Sequence, residues 1–147
     1  MKQGACKNLL AGLLLFGGAA SFAAAAGWDD PAAIAKGEKL FAENCAVCHG
    51  VKAAGKPGVD WKKKLSDGSF PPPPLNGTAH AWHHAPKLLD RIIAQGAKTY
   101  GDAYKGWMPG FEKKLDAAER LAILKYLHAL WPEEIRKRYD KHFKVEE

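Results

Sequence analysis

The sequence predicts a small all-α domain of about three to five helices. Asp30-Pro31 opens an Ala- and Leu-bearing stretch as N-cap and first helical residue. Asp116 and Glu119 form a capping box ahead of an apolar run, and Pro86 starts a third helical segment that reaches Gln95. The 147 residues are 47% hydrophobic with a formal charge of +6, which excludes a disordered chain and any large multidomain enzyme. One modest core is all that fits, and a domain this small gains from a covalently held apolar group.

Residues 1–26 carry Lys2 and Lys7 and no acid. An uncharged run from Asn8 to Trp28 follows, passing through Ala23-Ala24-Ala25-Ala26. This pattern predicts a secretory signal cleaved after about Ala26. A retained anchor is the alternative, because the 21 uncharged residues match the roughly 20 needed to cross a bilayer. Cys6 precedes the apolar run, whereas a lipidated cysteine would follow it. Either way the remainder, 27–147, is expected in an exported compartment, the periplasm. Loss of Lys2 and Lys7 lowers the formal charge from +6 to +4.

The helix from Asp30 runs into Cys45-Ala46-Val47-Cys48-His49. Covalent haem attachment, half of a zinc site and a thioredoxin-like redox pair compete for this motif. Zinc needs four ligands and no second Cys pair follows; a redox pair needs a preceding strand, and the preceding residues are helical. Histidine is scarce, 6 of 147 residues, so chance rarely places one directly after a C-x-x-C. Two thiols add to the two vinyl groups of one haem while the next residue brings an imidazole to the iron. The reading is therefore one covalent haem c on Cys45 and Cys48, with His49 as an iron ligand.

Residues 51–70 are rich in Gly, Lys and Pro and read as a loop over one haem edge. Pro71-Pro72-Pro73-Pro74 follows, and a stiff polyproline spacer is one reading of it. Thr78-Ala79-His80-Ala81-Trp82-His83-His84 is the least ordinary stretch. Its three histidines read as an unremarkable loop entering the helix at Pro86, as a copper or zinc site, or as the source of a replacement axial ligand. The last long helix is expected from Ala117 to Trp131, with Leu121, Ala122, Leu124 and Leu127 as its apolar stripe, and Pro132 ends or bends it. Residues 132–147 read as a surface helix and tail without chemistry. Its acids Glu133 and Glu134 come first and its bases Arg136, Lys137 and Arg138 later, as a helix dipole prefers.

Gly37, Phe41, Cys45, Cys48 and His49 fall as G-x-x-x-F-x-x-x-C-x-x-C-H, and Leu124-Lys125-Tyr126-Leu127 lies near the end of the chain. In these features the sequence resembles a small class I cytochrome c. The resemblance implies the cytochrome c fold for residues 27–131, with the first and last of its helices crossing where Gly37 packs on Tyr126, since a missing side chain lets backbones approach. Pro73, Leu75 and Gly77 align with the family's G-P-x-L-x-G loop, with Pro72 departing from its first Gly. The resemblance implies that the Pro73 carbonyl accepts a hydrogen bond from His49 and orients it. Met108, 59 residues after His49 and the one methionine besides Met1, sits in Gly106-Trp107-Met108-Pro109-Gly110-Phe111, where the family places its second iron ligand. Packing in a core gap is the ordinary alternative for a methionine. Trp82 precedes Pro86 much as the family's propionate-binding tryptophan precedes its third helix, with Trp61 and Trp107 as rivals.

With His49 and Met108 both on the iron, no coordination position is open, so the expected function is one-electron transfer rather than catalysis. Redox proteins with acidic docking surfaces are the expected partners, met near Lys52, Lys56, Lys105 or the Lys62-Lys63-Lys64 run. Two other classes compete: a haem enzyme or a gas or peroxide sensor with a labile Met108, and a copper-handling module built on His80, His83 and His84. Nucleic-acid binding is not expected, because the processed charge is only +4 and no groove-reading motif is present. Membrane contact is expected only if the N-terminal segment is retained.

Overall fold

The computed structural model describes residues 27–145, so the predicted signal or anchor, residues 1–26, lies outside the described residues. Five α-helices follow in order: α1 Pro31–Asn44, α2 Ala46–His49, α3 Pro86–Gln95, α4 Ala117–Leu130 and α5 Glu133–Phe143. Short 3₁₀ turns at Val51–Ala53, Ala81–His83 and Gly96–Tyr100 mark the connections. No strand occurs among the described residues, and no helix there is long and apolar enough to cross a membrane.

Local chemistry sets the helix boundaries. The Asp30 carboxylate accepts from the N–H groups of Ala32 and Ala33, both at 3.2 Å, with Pro31 at the first helical position. At α4 the capping box is complete: Asp116 Oδ1 accepts from Glu119 N at 2.8 Å, and Glu119 Oε2 accepts from Asp116 N at 3.1 Å.

The main packing contact is α1 on α4. A Cβ at Gly37 would collide with the Ala122 carbonyl and lie 2.9 Å from the Tyr126 Cβ, so glycine is what lets the two backbones meet. One turn on, Phe41 packs against Tyr126 with ring centroids 5.5 Å apart. Helix α3 closes the other side. There Arg120 of α4 forks onto the Asp90 carboxylate at 2.7 and 3.4 Å and also donates to the Leu115 carbonyl at 2.9 Å.

Two expectations need correction. The predicted stripe of α4 included Leu121, which is 40% exposed, whereas every residue from Ala122 to His128 is buried. A helix enclosed on most sides has no single stripe, so a 3.6-residue period does not select its buried positions. The second concerns residues 132–147, where a surface helix and tail were expected: the helix is present, but it is not only a surface element. In α5, Tyr139 is 1% exposed and packs with Trp131 and Ala81 in a second core, joined by Trp28, Leu75 and Phe143. The buried His128 of α4 meets Asp140 of α5 at 2.7 Å. Helix α5 is therefore part of the packed body.

Candidate functional site

Helix α2 is a single turn, and its spacing does the placing. Cys45 and Cys48 are three residues apart and Cys45 and His49 four, so all three share a face. The His49 N–H closes the turn on the Cys45 carbonyl at 2.9 Å. Both thiols are free, Cys45 buried and Cys48 exposed. Burial, with a smaller contribution from neighbouring Cys48, pushes the Cys45 thiol up to about 11.

All three residues line a cavity of about 750 Å³ bounded by α1, α3, α4 and the loops between them. Its walls are largely apolar, among them Leu75, Leu89, Ile93, Leu124 and Leu127. Protein interiors otherwise close to voids of roughly water size, so a space this large is built for a sizeable, mostly apolar group.

His49 is buried, and its Nδ1 lies 2.8 Å from the Pro73 carbonyl oxygen. A carbonyl only accepts, so Nδ1 carries the proton and Nε2 keeps its lone pair. Burial holds the imidazole below its usual pKa, with the Pro73 bond opposing in part. The neutral form is the one that binds a metal.

The loop carrying Pro73 is fixed from several sides. Its four consecutive prolines have no N–H to donate, so its first available donor is Leu75, which bonds the Ala53 carbonyl at 2.8 Å. Ala53 is fully buried at φ +56°, a left-handed conformation that a non-glycine residue keeps only where its surroundings enforce it. Gly55, at φ +79°, lies against the Pro74 ring and donates to the His49 carbonyl at 2.7 Å.

Met108 lines the same cavity from the opposite end of the chain, partly buried against the main core. Its carbonyl accepts from Ala97 N at 2.9 Å, and Phe111 N donates to Ile93 O at 3.0 Å, so its loop is zipped to the end of α3. Gly96 makes this possible. At φ +62° its bare Cα sits against the Met108 carbonyl, where a side chain would collide. Sequence reasoning did not single out Gly96, although a glycine directly after a predicted helix was the available signal.

Trp82 lies apart from these residues. It does not line the cavity; it borders a separate hollow of about 340 Å³ with His83, Tyr139 and Phe143. The Arg138 guanidinium of α5 stands 5.8 Å from the Trp82 ring. Its rivals Trp61 and Trp107 do line the cavity. The indole of Trp107 donates to Ser69 Oγ at 2.7 Å, and Trp61 stacks on His80 with centroids 5.5 Å apart.

The histidine cluster divides in the same way. His80 and His84 line the cavity while His83 faces the smaller hollow. Among the described residues no group of three His, Cys, Asp or Glu side chains is placed to hold a metal ion. The 3₁₀ turn at Ala81–His83 sends neighbouring side chains to different sides, and the copper or zinc reading is dropped.

The residues present thus fit a haem: an apolar cavity, two thiols on one face, a neutral imidazole and a thioether, all lining one space. The cytochrome c family model matches residues 34–131. Among similar curated proteins, the cbb3-type cytochrome c oxidase subunit FixP of Bradyrhizobium sp. (strain ORS 278) is 31% identical over 102 residues, covering 65% of this chain and 27% of that protein. Subunit CcoP of Azospirillum brasilense is 34% identical over 101 residues, covering 69% and 30%. The chain spans less than a third of the length of these relatives. No solved structure gives a significant match. On the family match and the site it covers, the chain belongs to the cytochrome c family.

Proposed function

We propose that the protein is an exported one-electron carrier holding a single haem c, attached through Cys45 and Cys48 and ligated by His49 and Met108. The sequence contains one C-x-x-C-H motif, which supports one haem per chain. The observation that carries the reading is the 2.8 Å contact between His49 Nδ1 and the Pro73 carbonyl, in a cavity that Met108 also lines. It sets the tautomer a metal ligand needs and strengthens the imidazole as a donor.

When bound, the haem supplies an Fe(III)/Fe(II) couple that gains or loses one electron. The chain's own groups do the rest. Leu75, Leu124 and Leu127 keep the cavity apolar, which disfavours the more highly charged ferric form and raises the potential. Two protein ligands kept in both redox states leave little to rearrange during transfer. Exposed Lys52, Lys56 and Lys105 supply positive charge for steering, and Val47 and Val51, both more than three-quarters exposed, supply apolar contact beside Cys48. The relatives are oxidase subunits, which supports a respiratory redox protein as partner.

The test is Met108→Ala in the exported protein. It should abolish the near-infrared sulfur-to-iron band and lower the midpoint potential by a clear fraction of the roughly 0.8 V that axial ligands span. An unchanged spectrum would assign the sixth ligand to another side chain, with His80 and His84 lining the same cavity.

A further inference from the structure

The loop that carries Pro73 has a further attachment, to Trp131. The indole N–H of Trp131 donates to the Leu75 carbonyl at 2.8 Å. Leu75 is the first residue after the four prolines, so both of its backbone polar groups are used, the N–H on Ala53 and the C=O on Trp131. Two residues before it, the Pro73 carbonyl accepts from His49. At the other end of the loop Gly77, at φ +94°, lies against Trp131 and Pro132, where a Cβ would come within 2.7 Å of Pro132 Cδ.

Trp131 is itself held by α5. It is buried, and the Tyr139 ring packs on it at 4.8 Å in an edge-on arrangement. Helix α5 begins at Glu133, beyond residues 34–131 that the family model covers. A continuous set of contacts therefore runs from this additional helix through one indole to the carbonyl facing the imidazole.

We infer that Trp131, backed by Tyr139 of α5, is a positioning residue for His49: its N–H fixes the Leu75 carbonyl and so holds the Pro73 carbonyl on Nδ1. The inference rests on His49 being an iron ligand. A secure Pro73 bond makes the imidazole a stronger donor and favours Fe(III); a loosened one weakens the donor and favours Fe(II). Trp131 also lines the cavity, and there a merely structural role gives the opposite sign. A breached wall admits water, which stabilises the more charged ferric form and lowers the potential.

The test uses the haem-loaded protein. Trp131→Phe keeps an aromatic ring and removes the donor; its midpoint potential should rise. Tyr139→Leu keeps the donor and removes the ring behind it, and its potential should move the same way by less. Tyr139→Phe, which preserves the packing, should leave the potential in place. In the reduced wild-type protein, NMR hydrogen exchange should show the His49 Nδ1–H and the Trp131 indole N–H protected to the same degree, because one opening releases both. A lowered or unchanged potential in Trp131→Phe overturns the inference, as does a His49 ring proton that exchanges independently of the indole. The exchange comparison decides the matter even if the variants do not assemble. Failure of the ligand assignment looks different: the His49 ring protons would then lack the strong upfield ring-current shifts of an axial imidazole.

Discussion

Tyr139 is buried to 1% exposure, yet its hydroxyl has no hydrogen-bond partner among the described residues. Burial, and secondarily Asp140, raises its pKa, so the group stays a neutral, unsatisfied phenol. Leaving such a hydroxyl unpaired costs about 1–3 kcal/mol. Tyr139→Phe should therefore stabilise the protein by about 1 kcal/mol, read as a rise of several degrees in Tm by calorimetry. A fall in Tm would show that the hydroxyl has a partner. Gly37 presents the converse. Its Cα abuts the Ala122 carbonyl, so Gly37→Leu must push α1 off α4, and overpacking of this kind costs about 1–3 kcal/mol or more. Chemical denaturation should show that loss; an unchanged midpoint would refute the crossing.

At the scale of the element, the loop of Met108 depends on a residue that has no side chain. Gly96, at φ +62°, is both in a left-handed conformation and in contact with the Met108 carbonyl. Gly96→Ala adds a Cβ where that carbonyl lies, so the methionine should move even though its side chain is untouched. The expected outcome is a near-infrared sulfur-to-iron band that bleaches at lower temperature than in the wild type, measured by thermal melting in the ferric state. A band that survives to the wild-type temperature would mean that the loop absorbs the extra methyl. Elements of this kind show what a sequence makes legible. Helix starts at Asp30-Pro31, Pro86 and Asp116 were readable because capping is local, settled within three or four residues. The haem motif was readable for the same reason, all its donors lying within five residues. The direction of Trp82 was not, because it depends on Arg138 and Tyr139, more than fifty residues away and in a helix that the motifs give no reason to fold back. Leu121 was misplaced because α4 is enclosed by neighbours whose positions no local period encodes.

At the scale of the whole molecule, the described residues form two joined cores, one between α1, α3 and α4 around the cavity and one between α5, Trp28 and Trp131. The loop of Pro73 lies between them, since Leu75 packs against both, so the stability of one core is felt by the other. A chain ending at Trp131 would expose Trp131 and Ala81 and strip His128 of Asp140. Full burial of one large apolar side chain is worth about 1.5–3 kcal/mol. Deleting residues 132–147 should therefore lower Tm by more than 10 °C for a loss of a few kcal/mol. A truncated protein melting with the full chain would return α5 to the status of a surface helix.

Charge acts at the same scale. Residues 27–147 carry a formal +4, and their exposed lysines include Lys52, Lys56, Lys63, Lys64 and Lys105. Ion pairs draw little of this away: Lys63 meets Asp60 only at 3.9 Å across an exposed surface, an interaction worth little in water. The unneutralised field therefore extends into solvent, where the screening length is about 10 Å at 0.1 M salt and about 3 Å at 1 M. Steering acts on encounter and not on the electron-transfer step, so the bimolecular rate with an acidic acceptor should fall steeply with ionic strength while the rate within a preformed complex stays constant. Stopped-flow reduction across that salt range separates the two. Reversing Lys62, Lys63 and Lys64 to Glu should flatten the dependence without moving the midpoint potential by a comparable amount. A rate indifferent to salt in the unaltered protein would place recognition in the apolar surface of Val47, Val51 and Trp107 instead.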